Sequence, residues 1–414
     1  MEKIKIMKYK RDFLLSKLLS SFFTKKEITA LNKKLEIKSN SSIINSSSKS
    51  NELQNPSSAA DIEIDLIITF ALGNLSNSKY LEFLFHLGQY TITTGKNDQA
   101  IYIHENILRE TEGKIDFENF YANASLALGE LYSRQALWKL CLNYIKQANK
   151  IFRKQNNLKG ASNCENLLGT VYGEYGNLKK AKEHFEKSIS LLDPSKDPEL
   201  IGKIENNLGI TYNIQGELDT ALSYYNRALA NFEKVRDLKR MAEVHHNMGM
   251  LYSKKDSSRL AIKEFDASIA FAKRINYRQS LVMSYLSKAH LLITQQDFNL
   301  AEALTNEAFE LCNLINDKMA MGDVFKLKGI IQRHFKKYSL AEHYLYTSIR
   351  INKELKNELN DAESEFELGI LYSEKGELKE SKKHFLAALK YFKKIKAQKE
   401  IKEIERNLKN IYSI

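Results

Sequence analysis

Residues 206–228 read NNLGITYNIQGELDTALSYYNRA, and this stretch decides the fold. Leu208-Gly209 is followed three residues on by Tyr212. Twelve residues after the glycine stands a small residue, Ala221. Four further on comes a ring, Tyr225, and three beyond that Ala228. Spacings of three and four put residues on one face of an α-helix. The segment reads as two helices joined at Gly216-Glu217, where glycine supplies the left-handed cap that closes the first.

Outward from this stretch the landmark returns every 40 residues. It appears as Leu128-Gly129 with Tyr132, Leu168-Gly169 with Tyr172, Met248-Gly249 with Tyr252 and Leu368-Gly369 with Tyr372. Ala289 and Gly329 fill the remaining positions, and Leu87-Gly88 lies 41 residues before Gly129. Leu408, Lys409 and Tyr412 begin a copy that the chain end cuts short. Small residues keep phase twelve after each glycine, from Ala100 and Cys141 to Ala341 and Ser381. Larger ones follow at Ile145, Phe185, Tyr225, Phe265, Leu345 and Phe385. Small residues let two helix backbones approach, and bulky ones fill the space around that contact. Neither helix can bury its apolar face alone, so each pair must stack on the next. Cys141 sits in the small-residue position and reads as a packing residue, not a nucleophile.

Leu-Gly-x-x-Tyr followed by Ala, Phe and Ala at these offsets resembles the tetratricopeptide repeat (TPR) family. The resemblance covers about residues 80–414 and implies an all-α, right-handed α-solenoid superhelix of helix-turn-helix pairs. Its first helices would line a concave groove. Three features depart from the family pattern: the period is 40 rather than 34 residues, the early Trp is missing (Trp138 is the single one), and the consensus Pro survives only near Pro194 and Pro198. A 40-residue period is similar to the long-helix subclass of the LGN/Pins adaptors, with kinesin light chains close and Rap-type peptide receptors of the same general build. The expected organisation is a basic amphipathic segment at 1–38, a Ser/Asn-rich linker at 39–58 and a lead-in helix at 59–79. Eight repeats at 80–399 and a capping helix at 400–414 would follow.

Composition agrees. Three prolines in 414 residues suit long helices, because proline removes a backbone donor and breaks helix interiors. The apolar stretch Phe13–Phe23 is interrupted by Lys17 and is too short for a transmembrane helix. Cys141, Cys164 and Cys312 are odd in number and far apart, which suits a reducing, cytoplasmic setting. The net charge of +12 sits at the ends: residues 1–55 carry +7 and 374–414 carry +6, leaving the middle near neutral. Nucleic-acid binding is therefore not expected, since its footprint is a basic stripe along a binding face. Thr24 with Glu27 is a capping-box signature that starts a helix through Leu35. The 1–38 segment is expected to fold back as a cap on the first repeat. A partner-docking helix and a membrane-surface helix are the alternatives.

No HExxH, GxSxG, P-loop or GxGxxG is present, so the chain reads as non-enzymatic, with no metal, cofactor or catalytic residue expected. His184 and His384 occupy equivalent positions on second helices and are expected to face solvent. Groove-facing positions in the family lie three and two before the glycine and one, four and five after it. Asn166, Asn206, Asn207, Asn213 and Asn247 occupy such positions. Asn presents both a donor and an acceptor to an extended peptide. His246, Lys203, Lys254 and Arg333 flank them as candidates to hold an acidic side chain or C-terminus. The expected function is a scaffold or adaptor binding a peptide or helix of a protein partner in its groove. The alternative is a Rap-type regulator whose superhelix changes shape on binding peptide. Self-association of the open array is left open.

Overall fold

The computed structural model describes residues 13–45 and 59–412, and among these every regular element is helical apart from one 3-10 turn, Ile115–Phe117. The chain forms two compact units that divide between Asp193 and Pro194. Each is an all-α solenoid.

The first unit opens with α1 (Phe13–Phe22), α2 (Lys25–Asn45) and α3 (Ala59–Asn74). Three hairpins follow: α4 (Asn77–Thr93) with α5 (Asn97–Thr111), α6 (Glu118–Arg134) with α7 (Trp138–Lys154), and α8 (Leu158–Glu174) with α9 (Leu178–Ser190). The capping box at the start of α2 is formed. Glu27 Oε2 accepts the Thr24 backbone N–H at 2.7 Å, and Thr24 Oγ1 accepts the Glu27 N–H at 3.4 Å. α2 continues to Asn45, so the first part of the stretch expected as a linker is helical, and residues 46–58 lie outside the described residues. Leu15, Leu19, Phe23 and Leu31 are buried with Ile67, Phe70 and Phe83 in one core. Of the described N-terminal segment, Leu15, Leu19, Phe23 and Leu31 thus pack on the first hairpin and α3, while Phe13 and Leu14 stay exposed.

The second unit contains five hairpins. They are α10 (Pro198–Gln215) with α11 (Leu218–Val235), α12 (Leu238–Lys254) with α13 (Ser258–Arg274), α14 (Arg278–Thr294) with α15 (Phe298–Ile315), α16 (Lys318–His334) with α17 (Tyr338–Glu354), and α18 (Glu358–Glu374) with α19 (Leu378–Lys394). α20 (Gln398–Tyr412) closes the unit, burying Ile401, Ile404 and Leu408 against Phe385 and Phe392 of α19. No helix among the described residues is long and apolar enough to cross a membrane.

The repeating positions do what their sizes dictate. All eight small residues twelve after the glycine, from Ala100 to Ser381, are fully buried. The glycine faces the residue sixteen further on. A Cβ on Gly169, Gly209 or Gly369 would lie 2.5 Å from the ring of Phe185, Tyr225 or Phe385. The hairpin at Ala289 makes the reverse exchange, because the residue sixteen on is the smaller Thr305, itself fully buried. Non-glycine residues such as Ala136, Gln296 and Lys336 take the left-handed turn conformation that Gly176 and Gly216 supply elsewhere.

Two expectations about histidine change. His384 is buried rather than solvent-facing, and His184 is half-buried. Each ring stacks on a tyrosine, Tyr372 or Tyr172, and its Nδ1 meets Glu365 at 2.6 Å or Glu165 at 2.8 Å. The cause is a glutamate four residues before each glycine. Burial alone would raise the Glu165 carboxyl, but Lys187, His184 and Arg153 outweigh it and hold it below the ordinary glutamate value. His104 is the third case. It fills the ring position opposite Gly88, is fully buried, and neither ring nitrogen has a hydrogen-bond partner among the described residues. Burial drives its pKa from 6.5 down to about 4.

Two predictions follow from this packing. Alanine in a helix interior is favoured over glycine by up to about 1 kcal/mol, while overpacking costs about 1–3 kcal/mol. Tyr225 cannot retreat, so Gly209→Ala should destabilise the second unit in urea unfolding. Gly73→Ala, where an added Cβ meets nothing within 4 Å, should be neutral or stabilising. His104→Phe should remove an acid penalty. Because the folded pKa is depressed, that penalty is absent above 6.5 and grows as pH falls toward 4, to about 3 kcal/mol. Hydrogen exchange of α4 and α5 at pH 7.5 and 4.5 should converge between the two pH values in the variant and diverge in the wild type.

Candidate functional site

The first helices of the second unit carry a cleft of about 940 Å³. It is lined from α12, α14, α16, α18 and α20, and the family's groove offsets account for most of its floor. Three before the glycine position stand Leu286, Lys326 and Phe366; two before, Ser287, Leu327 and Glu367; one after, Met250, His290 and Ile330. At these offsets Phe366 also lies against Phe385 of its own hairpin, the ring that occupies the glycine face.

A charged cluster sits on this floor. Lys326 has a side chain only 10% exposed. Its Nζ lies 3.0 Å from Asp323 Oδ1, donates to Asn360 Oδ1 at 3.3 Å, and pairs with Glu363. Burial alone would lower the ammonium, but Glu363 and Asp323 reverse that and hold it above the ordinary lysine value. The His290 imidazole is open to the cleft, and its pKa is drawn down first by desolvation and then by Lys326, against the pull of Glu363 and Asp323. Glu367, which burial pushes up, lies 3.0 Å from Arg333 Nη1. Those two atoms make no hydrogen bond, so their pairing is ionic and not aligned.

Across the cleft wall six carboxylates (Asp256, Asp323, Glu363, Glu367, Glu400 and Glu403) face two ammonium groups, Lys326 and Lys399. Among the described residues no group of histidine, cysteine and carboxylate side chains could hold a metal ion. The three cysteine thiols are buried, and that burial raises each of them, Cys141 to about 11 and the other two to about 12.

The nine residues expected from the sequence fall elsewhere. Asn247 Nδ2 donates to Asn206 Oδ1 at 3.0 Å, so the asparagine pair that forms joins α12 to α10 through Asn206 rather than Asn207. Asn207 is half-buried, and its carbonyl receives the Thr211 hydroxyl at 2.8 Å. Asn213 turns toward the Tyr225 hydroxyl on the second helix of its own hairpin, and its carbonyl accepts from Lys254 Nζ at 2.8 Å. His246 is not a groove residue. It is buried against Phe265, with its ring 3.2 Å from Ser284 Oγ, because the position three before the glycine meets the neighbouring α14 there. Lys203 is engaged by Glu199 within its own helix, and Arg333 by Glu367 and Glu374. Asn166 is half-buried on α8 in the first unit.

The residues that sequence reasoning missed are His290, Lys326, Glu363, Glu367, Glu400 and Glu403. The offsets that selected Asn206 and Asn247 reach Lys326 and Glu367 when carried on to repeats seven and eight, and the offset one after the glycine position reaches His290. Asp323 and Glu363 lie one helical turn earlier, six before the glycine position, where no expectation was placed.

A tetratricopeptide repeat model matches residues 200–274, and a second matches residues 166–191. The transcriptional activator NprA of Geobacillus stearothermophilus is 33% identical over 85 residues, 20% of this chain and 20% of that protein. The chain thus spans about a fifth of that relative's length. A Rap protein complexed with competence and sporulation factor has a TM-score of 0.53 at 14% identity, over 81% of this chain and 98% of its own. The apo form of RapI gives 0.50 at 19% identity, over 67% and 99%. A signal-transduction ATPase with a tetratricopeptide repeat sensor from Pyrococcus horikoshii gives 0.54 at 15%, over 86% and 56%. At these identities the likeness to the solved structures is one of fold.

Removing the buried cation tests the cluster. Breaking a buried pair by deleting one partner costs about 3–5 kcal/mol, less where the carboxylates keep some solvent. Lys326→Met should therefore lower stability by about 1–3 kcal/mol at pH 7. Denaturant unfolding at acid pH, where carboxylates are neutralised, should show a smaller difference from wild type. An equal loss at both pH values would leave only packing as the cause.

Proposed function

With the chain built of tetratricopeptide repeats, we propose that it is a non-enzymatic scaffold or regulator that takes a peptide or helix of a protein partner into the cleft of α12 to α20. The observation that carries this reading is the cleft itself. Its 940 Å³ lies at the top of the usual range for ligand pockets, and its lining mixes apolar side chains with a few placed polar groups. That mixture suits a segment with side chains of both kinds.

The test fills the cleft without touching its charges. Met250 is exposed and Ser287 half-buried on its wall, so Met250→Trp with Ser287→Tyr should be accommodated by the fold. Affinity purification from native lysate, with wild-type and filled-cleft baits read by mass spectrometry, should lose the wild-type partners in the variant while its thermal melt stays unchanged. Equal recovery from both baits would remove the cleft as the site. The Asn206 and Asn247 pair, tested by Asn247→Ala, is then expected to affect stability more than recovery.

A second reading has its own support in the 33% identity to a transcriptional activator and the fold likeness to Rap proteins. It makes the array a peptide-responsive regulator whose shape changes on binding. The distinguishing measurement is the radius of gyration by solution scattering, with and without a bound peptide. An unchanged radius favours the scaffold.

A further inference from the structure

The chain is basic at +12, yet the cleft is lined by six carboxyl groups and two ammonium groups, and with Glu367 answered by Arg333 there remain five against two. We propose that the cleft selects a cationic peptide, one that places Lys or Arg side chains among Glu400, Glu403, Glu363 and Asp323 and an apolar side chain against Ile330 and Phe366. The proposal rests on the reading of the cleft as a peptide site and names the class of peptide.

Three observations support it. First, the cation already inside is fully committed. Lys326 is held by Asp323, Glu363 and Asn360, so it has no charge to offer an acidic ligand, and the cluster of one ammonium and two carboxylates remains negative. Second, the His290 imidazole is open to the cleft, and desolvation and Lys326 draw its pKa below the ordinary histidine value, which disfavours a positive charge there. Third, the carboxylates lie on different elements: Asp323 on α16, Glu363 and Glu367 on α18, and Glu400 and Glu403 on α20. They surround an apolar floor rather than forming one surface patch. Walls of low dielectric focus a field of one sign into such a cleft and raise the local concentration of the opposite charge. The same field repels phosphate, so a nucleic acid is the wrong partner for this face.

The experiment uses the full chain and random decapeptide pools, one carrying a fixed Lys or Arg, one a fixed Asp or Glu, and one neither. Three proteins are compared: wild type, the filled-cleft variant Met250→Trp/Ser287→Tyr, and the rim variant Glu400→Lys/Glu403→Lys. Glu403 is exposed and Glu400 half-exposed on α20, and neither holds the Lys326 cluster, so the rim variant should fold. Wild type should enrich the basic pool. The rim variant should bind basic peptides about tenfold more weakly, and raising salt should erode the wild-type preference. Enrichment of neutral or acidic peptides that is still lost on filling the cleft would overturn the cationic preference and leave the peptide site standing. Binding that ignores the filling, or no enrichment at all, would overturn both. Undiminished binding of basic peptides by the rim variant would also overturn the preference.

Discussion

Each hairpin depends on one contact, in which the side chain sixteen residues on presses into the space left by a missing Cβ. At Gly169, Gly209 and Gly369 the ring sits where no side chain could stand, 2.5 Å from an added Cβ. This fixes how closely the two helices approach and how they are rotated. Opposite Gly129 the branched Ile145 leaves 3.1 Å, while Leu345 presses on Gly329 as closely as a ring, at 2.6 Å. Where the glycine becomes Ala289, the partner shrinks to Thr305. Volume is thus exchanged across the contact rather than added to it, which is the kind of substitution a core tolerates best. A constant hairpin is what allows stacking, because a solenoid needs each interface to repeat the last.

A second constraint lies beneath the first. Glu165, Glu205 and Glu365 stand four before their glycines, and the first two are almost completely buried. Arg153 and Lys187 reach Glu165, Arg227 reaches Glu205, and Lys353 reaches Glu365. Replacing such a pair by apolar groups is often neutral, while breaking it is not. These positions therefore tie a hairpin to its own ion-pair partners rather than to general hydrophobic burial. The stacked His–Tyr pairs of two of these sites belong to the same device, which is why His384 is drawn inward from a helix face that reads as solvent-exposed.

The periodicity carried the helix pairs, their number and the core positions, because size at a fixed spacing is a direct record of contact distance. The groove offsets came instead from the resemblance to tetratricopeptide repeats. The periodicity did not reveal which repeats open a cleft. The same offset, three before the glycine, is a buried packing position at His246 and a cleft position at Lys326, since the neighbouring first helix brings Ser284 against one and Asn360 and Glu363 against the other. Asparagine is ambiguous for a similar reason. Its donor and acceptor suit a peptide backbone, but they suit another asparagine equally, and Asn206 and Asn247 satisfy each other. The division at Asp193–Pro194 is marked in the sequence only by two prolines close together.

Charge was the least legible property, and the geometry explains why. Along a helix of a stacked hairpin, successive residues are sent in turn to the core, the cleft and the outer surface. Carboxylates at Asp323, Glu363 and Glu403 come from three segments, 40 residues apart, while Lys328, close to Asp323 in sequence, turns to Asn306 of α15. Summing charge along the chain averages over directions that the fold separates. A nearly neutral middle and a basic end can therefore line one cleft with carboxylates, and a chain with a basic total can present to a ligand the sign opposite to its own. The quantity that bears on recognition is the sum over one helical offset in neighbouring repeats, and that sum becomes readable once the glycine contact has fixed which offset faces inward.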